Sequence, residues 1–463
     1  MRASKRWLAM ALTTGLVAGA CSSGASPTPN SAASQGAASA PATASAASAP
    51  VTLTLLEHQQ LRADVLKKLL PQFEAAMAAQ GKNIKVNLVL DILPDAQFQT
   101  KLTLDYSAGN AADVTSDVGG VVPGFAAAGY LLDLTSRVTA WPDWQHFYQV
   151  IRNQTTQADG KIYSLPRGAN TMELFYRTDV LQKYGISTAQ PTSWADLISR
   201  MVALKAKMGT PPILYPAGTA WGGGSMDEGF LHVFLGTGGQ LYDNATGKWV
   251  VKSTALTDAF GFYATLTNDG LLPVQALQNP NPWQPTKYVA FPAGTLAVTT
   301  QGTWGWTYDW GPTGSAPIPN LFSKVATWEF PAQSGSPFVS VPVDWMWMIS
   351  AKTQHPDEAF ALAQWLDTGQ ALANDIVAVG NASPRDDIQN IAPYSQDQYL
   401  IDAEKQLSTG KTFLPQVGYD KIQQAVGQAT EDIISGTMTG AQAAAEFTKM
   451  ATDLLGADKV EQQ

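Results

Sequence analysis

The chain has 463 residues, enough for two domains that each bury a core of their own. Its formal net charge is −9, and removal of the basic residues in positions 1–20 leaves 26 basic and 38 acidic side chains, a net charge of −12. This acidic balance argues against nucleic acid or anionic lipid as the partner and favours a neutral ligand. Its 14 tryptophans exceed what core packing usually needs and provide large flat apolar faces.

The N-terminus has the features of an export signal. Arg2, Lys5 and Arg6 form a positive region, and the apolar residues 7–20 are too few to span a bilayer. Cys21, the single cysteine of the chain, follows directly. The arrangement resembles a bacterial lipoprotein signal, in which small residues precede a cysteine that becomes lipid-modified. An ordinary secretory signal with an incidental cysteine is the alternative.

The lipoprotein resemblance implies a location at the cell membrane, on its extracellular or periplasmic side. Two acyl chains on the cysteine are enough for stable anchoring, where one is not. Residues 22–50 are nearly all Ser, Ala, Pro, Thr and Gly and cannot bury enough surface to fold. We therefore expect a signal peptide over residues 1–20 and a disordered tether over residues 21–50.

From Val51 onward the hydrophobic periodicity predicts alternating strands and helices. The first five segments are a strand in VTLTLLEHQ, a helix over residues 61–79, a strand over 84–90, a helix over 96–108 and the strand ADVTSD. This order predicts a mostly parallel sheet covered by helices. The later segments are strands in DGKIYSLP and MELFYRTDV, a helix capped by Ser193, a strand that ends at Gly302, a strand over 338–350 and a wholly helical tail.

Residues 288–310 combine a buried strand, a glycine stop and a run of aromatic residues. Trp304 follows Gly302 where the chain leaves the carboxyl edge of a sheet, which is where ligands bind in open α/β folds. The alternative for any one of these aromatic rings is packing in a core or a lid.

Several phrases of the sequence occur in one characteristic order. They are ADV with GYLLDLT, DGKIYSLP, LFYRTDVLQKYGI with PTSWADL, FPAGTLAVTTQGTW and GNASPRDD. Together they resemble the maltose/oligosaccharide-binding group of extracellular solute-binding proteins of ABC transporters, family 1, over residues 51–450. The resemblance implies an α/β, two-lobed periplasmic-binding-protein-like fold of type II, with the ligand between the lobes.

In that fold each lobe is a mostly parallel sheet flanked by helices, and hinge strands cross between the lobes. The resemblance places the crossings near Pro166, near Phe291 and over residues 341–345. We expect an N-terminal lobe of residues 51–166 plus 294–340 and a C-terminal lobe of residues 167–293 plus 341–463. The lobes would close around the ligand, and the closed form would be recognised by permease subunits. We expect a monomer with no cofactor, metal or nucleic acid.

Sugars have flat C–H faces that stack on aromatic rings and a rim of hydroxyls that need polar partners. Trp304 corresponds to the aromatic residue that the family uses for stacking. Trp345 is favoured over Trp347 for the ligand-facing side, because Trp347 lies deeper in an apolar strand. Trp221 precedes a glycine-rich loop and either walls the site or anchors the loop.

Polar candidates lie at the ends of the predicted strands and near the C-terminal motif. Each carboxylate could accept a hydrogen bond from a sugar hydroxyl or could instead cap a helix. Arg385 could bind ligand or pair with the neighbouring Asp386 or Asp387. The polar candidates are Glu57, His58, Asp117, Asp344 and Arg385.

Enzymes are the rival class. The sequence contains no HExxH, P-loop or GxSxG motif, and we expect no catalysis. A glycosidase needs only two facing carboxylates. A lipid-anchored carbohydrate-active hydrolase is therefore an alternative, with Asp227 and Glu228, or Asp309, as candidate catalytic carboxylates. A binding protein for a peptide is a further alternative, although the excess of aromatic residues favours carbohydrate.

Overall fold

The computed structural model of the chain describes residues 50–93 and 95–463. The predicted signal peptide, Cys21 and the tether up to residue 49 lie outside the described residues. Within this part of the chain, no helix has both the length and the apolar character needed to cross a membrane.

The strands follow the predicted order closely in the first third of the chain. They are β1 (Val51–Glu57), β2 (Ile84–Leu90), β3 (Val114–Val118), β4 (Ser164–Pro166), β5 (Met172–Arg177), β6 (Ile213–Leu214), β7 (Tyr242–Asp243), β8 (Lys248–Lys252), β9 (Val298–Gly302), β10 (Val325–Trp328), β11 (Trp345–Ile349) and β12 (Val460–Gln462).

The helices cover the sheets and form most of the C-terminal region. They are α1 (Gln60–Ala79), α2 (Asp95–Ala108), α3 (Val122–Ala127), α4 (Thr135–Thr139), α5 (Gln149–Thr155), α6 (Thr178–Lys183), α7 (Trp194–Met208), α8 (Leu231–Thr237), α9 (Thr254–Asn268), α10 (Val274–Leu277), α11 (Trp283–Pro285), α12 (Phe291–Ala293), α13 (Leu321–Lys324), α14 (Pro356–Leu366), α15 (Gly369–Val379), α16 (Gln398–Gln406), α17 (Tyr419–Ile434) and α18 (Gly440–Leu455). The predicted cap of α7 is confirmed, since the Ser193 hydroxyl accepts a hydrogen bond of 3.2 Å from the Asp196 amide.

Two main sheets and one small sheet organise these elements. The five-stranded sheet has the order β2-β1-β3-β11-β4, in which β1, β2 and β3 are parallel and β11 is antiparallel to both of its neighbours. The four-stranded sheet has the order β10-β5-β9-β6, and only β6 and β9 are parallel. The small sheet has the order β12-β8-β7.

Each main sheet belongs to its own hydrophobic core. The first core packs on the five-stranded sheet and draws its buried apolar side chains from residues 53–169 and 341–407. The second core packs on the four-stranded sheet and draws its side chains from residues 172–338 and 419–451. This arrangement agrees with the expected two-lobed α/β architecture. The expectation that each sheet is mostly parallel is wrong, since two of the four strand pairings in the first sheet and one of the three in the second are parallel.

The grouping of sequence ranges into lobes differs from the expected one. Residues 294–340 belong to the second core, because β9 pairs with β5 and β6. Residues 341–407 belong to the first core, because β11 pairs with β3 and β4. The expected ranges therefore assign these two stretches to the wrong lobes.

The described chain passes between the cores over residues 167–171, 339–344 and 408–418. The first two passes lie where crossings are expected. The crossing expected near Phe291 is wrong, since Phe291 is fully buried in the second core. The third pass is instead the segment between Leu407 and Tyr419, which lie in the first and second cores respectively.

Two further predictions need correction. The strand predicted over residues 338–350 is regular only from Trp345, because Pro342 has no amide hydrogen for a ladder and Ser340 forms isolated bridges with Met172 and Lys411. The tail is not wholly helical, since β12 follows α18 and pairs with β8.

Candidate functional site

The carboxyl ends of β1 and β3 and the amino end of the antiparallel β11 meet at one edge of the five-stranded sheet. The register places Trp345 opposite Val118 and Met346 opposite Asp117. Ligands bind outside this kind of edge in open α/β sheets. The edge brings together the predicted site residues Glu57, His58, Asp117, Asp344 and Trp345.

The four-stranded sheet presents an equivalent edge. Strands β6 and β9 are parallel, so their carboxyl ends lie together, and Trp221 and Trp304 follow them. Trp304 is partly exposed, and its indole covers Gly302 so closely that a Cβ on that glycine would lie 1.8 Å from the ring. Strand β9 therefore ends at a glycine, because the Trp304 ring occupies the space that a side chain at position 302 would need.

The two edges approach each other where the chain passes between the cores. A Cβ built on Gly120 in the first core would lie 3.5 Å from the ring of Tyr419 in the second. A Cβ built on Gly380 in the first core would lie 3.0 Å from the Cα of Trp304. We call the region bounded by residues 117–120, Trp345, Trp304 and Tyr419 the interlobe junction.

Arg62 is a buried residue of the interlobe junction that the sequence analysis missed. Its guanidinium carbon lies 4.3 Å from the ring centroid of Trp345, and its Nε donates to the Gln59 side chain at 2.9 Å. Only 4% of Arg62 is exposed, yet its Nη1 has no hydrogen-bond partner among the described residues. Burial lowers the pKa of Arg62. The sequence did contain a signal for this residue. Arg62 is a charged residue at a position that the helical periodicity assigns to the buried face of α1, in line with Leu66 and Leu69.

The Trp345 ring is largely occupied by its own neighbours. His58 stacks on it with 5.2 Å between ring centroids, and His58 also stacks on Phe98 at 3.8 Å. Trp345 is 8% exposed, whereas Trp347 points into the first core, where its Nε1 donates to Asp367 at 3.0 Å. Trp345 thus lies at the edge and supports Arg62, and little of its ring remains free to stack on a ligand.

Glu57 and Arg167 form a buried ion pair beneath this edge. Arg167 Nη1 lies 2.5 Å from the Glu57 carboxylate, and its Nε lies 2.8 Å from that of Asp375. Burial alone would lower the pKa of Arg167, but Asp375 and Glu57 together raise it above its ordinary value. The other Glu57 oxygen accepts from the amides of His58 and Gln59. Glu57 therefore orders the first turn after β1.

Asp344 has both carboxylate oxygens bound by side-chain amides. Asn170 donates to Oδ1 at 2.8 Å and Asn381 donates to Oδ2 at 2.5 Å. Burial raises the pKa of Asp344 to about 6, while Arg62 opposes that rise. The Oδ1 atom of Asn381 is buried and has no hydrogen-bond partner among the described residues. Asn381 thus leaves one buried acceptor open beside Asp344.

Val343 packs against Gly119, the residue that directly follows β3. A Cβ on Gly119 would lie 2.3 Å from Cγ1 of Val343, so the valine packs into the room that Gly119 leaves. The Gly119 amide also donates to the Asp344 carbonyl at 2.9 Å. A side chain at position 119 would therefore collide with Val343.

Trp221 lies beside a buried cation on the second edge. Lys287 Nζ is fully buried, contacts Glu228 at 2.7 Å and Gln301 at 2.6 Å, and lies 4.3 Å from the ring centroid of Trp283. Trp221 packs on Trp283 with 4.9 Å between centroids. Its Nε1 is buried without a hydrogen-bond partner among the described residues. Trp221 is thus anchored in the loop and still has an unpaired donor.

The carboxylates that were candidates for catalysing hydrolysis accept hydrogen bonds from neighbouring side chains. Asp227 accepts hydrogen bonds from the Tyr419 hydroxyl and from Gln423 at 2.8 Å, and burial raises its pKa to about 7. Asp309 accepts from Gln301 and from Tyr288 at 3.2 Å, and burial raises its pKa to about 6. Both carboxylates therefore have protein partners on their oxygens.

Arg385 does not join the interlobe junction. It forms a two-point ion pair with Asp387, at 2.8 and 2.6 Å, and donates to the Asp367 carbonyl at 3.0 Å. Of the two alternatives for Arg385, the structure shows pairing with a neighbouring aspartate. The adjacent His146, Asp386 and Asp387 offer ligand atoms within 4.8 Å of one another, but His146 pairs with Asp386 at 2.9 Å and Asp387 with Arg385.

Comparison with known proteins agrees with this geometry. A sequence profile of the bacterial extracellular solute-binding proteins matches residues 62–373. A probable ABC transporter-binding protein from Deinococcus radiodurans is 25% identical over 249 residues, which cover 52% of this chain and 55% of the relative. The chain spans about half the length of the curated relatives it matches.

Solved structures share the fold over nearly their whole length. The GacH receptor of Streptomyces glaucescens, solved unliganded and with acarbose, is 18% identical with a TM-score of 0.73, covering 88% of this chain and 99% of that one. The sugar-binding protein MalE from Xanthomonas citri is 21% identical with a TM-score of 0.69, covering 88% and 97%. With the family profile matched over most of the two-core region, the chain belongs to the bacterial extracellular solute-binding proteins.

Proposed function

We propose that the chain is the substrate-binding component of an ABC transporter and captures a neutral sugar, a disaccharide or short oligosaccharide, at the interlobe junction. The observation that carries this proposal is a set of buried polar atoms, on both edges, that have no hydrogen-bond partner within residues 50–93 and 95–463. The donors are Arg62 Nη1 and Trp221 Nε1, and the acceptor is Asn381 Oδ1. Sugar hydroxyls both donate and accept, so they can satisfy all three.

The aromatic surface needed for a sugar comes mainly from Trp304. Its indole is partly exposed and held flat over Gly302, so its orientation is fixed before a ligand arrives. A rigid ring that stacks on C–H faces binds with little loss of conformational entropy. The predicted role of Trp345 changes in this proposal, because Arg62 and His58 occupy its ring. Trp345 would position Arg62 for a sugar hydroxyl.

The charges around the first edge favour a neutral ligand. Arg62 and Arg167 face the carboxylates of Glu57, Asp375 and Asp344, so the ionised cluster is close to balanced. A ligand with a full negative charge would have to displace these pairs, at a cost that a neutral polyol avoids. The acarbose complex of the GacH receptor and the name of the Xanthomonas citri protein support a sugar.

Capture would proceed by closure of the two cores around the ligand. The three passes between the cores are short, and hinge closure of this kind changes the backbone at few residues. The closed form would then be recognised by the permease subunits of the transporter. The protein would act as a monomer and catalyse no reaction, and Asp227 would serve to hold Tyr419 at the interlobe junction.

Anchoring would come from Cys21 at the cell membrane. Small residues precede Cys21 and an uncharged tether follows it, as in lipoproteins. A Cys21→Ser variant should appear in the soluble fraction of cells that retain the wild type in the membrane fraction. Equal membrane retention of both would overturn the lipid anchor and favour an ordinary secretory signal.

Thermal unfolding against a ligand panel tests the proposed function. The panel contains mono- and oligosaccharides, polyols and peptides, each with the full chain. A ligand at a hundredfold excess over its dissociation constant stabilises the native state by about 2.7 kcal/mol, which is easily seen as a shift in melting temperature. A shift with one sugar supports the proposal, and a response to peptides alone would contradict the carbohydrate assignment.

A further inference from the structure

One buried lysine links the segments that carry the two tryptophans of the second edge. Lys287 belongs to a wide helical turn over Thr286–Ala290, and its side chain is fully buried. Its ammonium has two acceptors, Glu228 Oε2 at 2.7 Å and Gln301 Oε1 at 2.6 Å. A charge removed from water needs such partners, because an unpaired buried ion is strongly unfavourable. These two acceptors therefore fix the position of the ammonium.

The first acceptor lies beside the glycine-rich loop that follows Trp221. A Cβ on Gly224 would lie 3.6 Å from Glu228 Oε1 and 3.6 Å from the Trp221 ring. The ammonium also faces two indoles, with Nζ 4.3 Å from the ring centroid of Trp283 and 5.6 Å from that of Trp221. A cation at this distance attracts the face of an indole. Lys287 therefore holds Trp221 through a carboxylate and through ring contacts.

The second acceptor packs against the segment that carries Trp304. A Cβ on Gly305 would lie 2.7 Å from Gln301 Cγ, so the glutamine side chain fills the room beside the residue that follows Trp304. The Lys287 backbone reaches the same segment, since its carbonyl accepts from Trp310 Nε1 at 2.8 Å. Lys287 is therefore bound to this segment through Gln301 and through its own carbonyl.

The ion pair of Lys287 with Glu228 contributes little net stability by itself. Removing both charges from water costs about as much as their attraction returns, so replacement of such a pair by neutral side chains of similar size is often close to neutral. The pair does impose a defined geometry, because the ammonium keeps its acceptors only in one arrangement. That arrangement includes both tryptophan-bearing segments.

We propose that Lys287 is a positioning residue that fixes Trp221 and Trp304 relative to each other, so that both indoles are in place before a sugar arrives. Lys287 does not touch the ligand, since its side chain is fully buried between these segments. Rings that are held in advance bind with a smaller loss of conformational entropy. The inference rests on the proposed function only in treating the two rings as parts of the sugar site.

Glu228→Gln combined with Lys287→Met separates positioning from stability. This double variant keeps side chains of similar size and leaves neither member of the ion pair behind, so its midpoint of urea unfolding should stay close to that of the wild type. The contacts of the ammonium are nevertheless lost. We therefore expect the Tyr308 amide, which donates to the Trp304 carbonyl at 2.7 Å, to exchange about tenfold faster than in the wild type.

Hydrogen exchange of the full chain, measured by mass spectrometry without sugar, detects this difference, with the amides of β5 as the reference in the same sample. Calorimetric titration with the sugar that gives the largest thermal shift should then show about tenfold weaker binding by the double variant. A lysine that only stabilises the fold would give the opposite result, because loop protection and affinity would then recover together with the unfolding midpoint.

Asp196→Asn combined with Arg200→Met is the matched control. Arg200 pairs with Asp196 at 2.7 Å, and its guanidinium carbon lies 5.9 Å from the ring centroid of Trp328. The control therefore also removes a cation, its carboxylate partner and a contact with a tryptophan of the second core, but away from Trp221 and Trp304. It should change neither the exchange of the Tyr308 amide nor the affinity for sugar.

Wild-type exchange of the Tyr308 amide in the Glu228→Gln, Lys287→Met variant would overturn the proposal, as would unchanged affinity despite faster exchange. If that variant does not fold, Gln301→Met gives the same test, because it removes the acceptor that links Lys287 to the Trp304 segment. Failure of every sugar to bind the wild type would contradict the proposed function. The exchange measurement contains no sugar and tests Lys287 independently of that result.

Discussion

The guanidinium of Arg62 lies 4.3 Å from the ring centroid of Trp345, so a buried cation covers the aromatic ring that begins β11. The arginine comes from the first turn of α1, and its Nη1 is left without a partner among the described residues. A buried charge with an unused donor costs stability unless another interaction compensates. We propose that this pair serves ligand binding and that Trp345 fixes the direction in which the Arg62 guanidinium points.

Replacement of Arg62 by methionine should separate binding from folding. Arg62→Met removes the open donor and keeps most of the apolar contact with Trp345. We expect the affinity for the sugar to fall by about 1.5–3 kcal/mol, the usual range for a hydrogen bond to a charged group. The free energy of unfolding without ligand should change by less than about 1 kcal/mol, because a desolvated charge is replaced by a side chain of similar size.

Calorimetric titration and urea unfolding of the same samples measure both quantities. Arg137→Met is the control, since Arg137 forms a surface pair with the exposed Asp357 at 2.5 Å. It should change neither quantity appreciably, as exposed pairs contribute little. Unchanged sugar affinity in Arg62→Met would remove Arg62 from the site.

Trp304 and Trp310 lie six positions apart and should behave oppositely when truncated. Trp304 is partly exposed at the interlobe junction, whereas Trp310 is fully buried and stacks on Phe291 at 4.3 Å. Trp304→Ala should weaken sugar binding by roughly 1–3 kcal/mol and should lower the unliganded melting temperature much less than Trp310→Ala does, because Trp304 is only partly buried against the second core. Trp310→Ala should destabilise the fold by about 3–5 kcal/mol. A lowered melting temperature with intact affinity in Trp304→Ala would assign that ring to packing.

Gly168 should not tolerate even one added methyl group. A Cβ there would approach Asn381 Nδ2 to 2.5 Å and Asp344 Oδ2 to 2.9 Å. Gly168→Ala should destabilise the fold by about 1–3 kcal/mol, as overpacking of a buried site does, and should weaken sugar binding as well. Gly124→Ala is the control, because nothing lies within 4 Å of its Cβ position. Chemical unfolding of both variants measures the difference, and equal stability of the two would contradict the close packing of the first pass.

Asp309 should make the stability of the wild type depend on pH. Burial raises its pKa to about 6 in the folded state, so the native state holds a proton that the unfolded state has already lost. Its stabilising contribution is complete below the ordinary pKa of 3.8 and is lost as the pH rises through about 6. Asp309→Asn lacks this titration.

The advantage of wild type over Asp309→Asn in free energy of unfolding should therefore shrink by on the order of 2 kcal/mol between about pH 4 and about pH 7. Urea unfolding at several pH values, with the two proteins compared at each, measures this quantity. If the free energies of unfolding of the two proteins change in parallel with pH, Asp309 has the same pKa in the folded and unfolded states, which would contradict the prediction.

Local periodicity and turn chemistry were sufficient to predict the order of elements in the first third of the chain. The apolar spacing of α1, the alternation of β2 and the cap of α7 are all properties of short segments. The polar candidates Glu57 and Asp117 were predicted at strand ends, and the structure places them at one edge, because the parallel strands β1 and β3 put their carboxyl ends together. The place of β11 between β3 and β4 does not follow from such local features, because it depends on pairing between distant segments.

The predictions that were wrong concern features that depend on contacts between distant segments. Whether residues 294–340 join one core or the other is decided by the pairing of β9 with β5, which periodicity does not specify. The hydrogen bond between Asn170 and Asp344 spans 174 positions. Arg62 carried a local signal as a charge on a buried helical face, but its position above Trp345 appears only in three dimensions.

Calorimetric titration of the full chain with the sugar that gives the largest thermal shift, followed by chromatography of the recovered ligand, tests the central claim most directly. We predict saturable binding of one sugar per chain and recovery of the sugar intact. Absence of binding heat with every sugar of the panel would contradict capture at the interlobe junction. Hydrolysis products in the recovered ligand would contradict a binding protein and turn attention to Asp227 and Glu228.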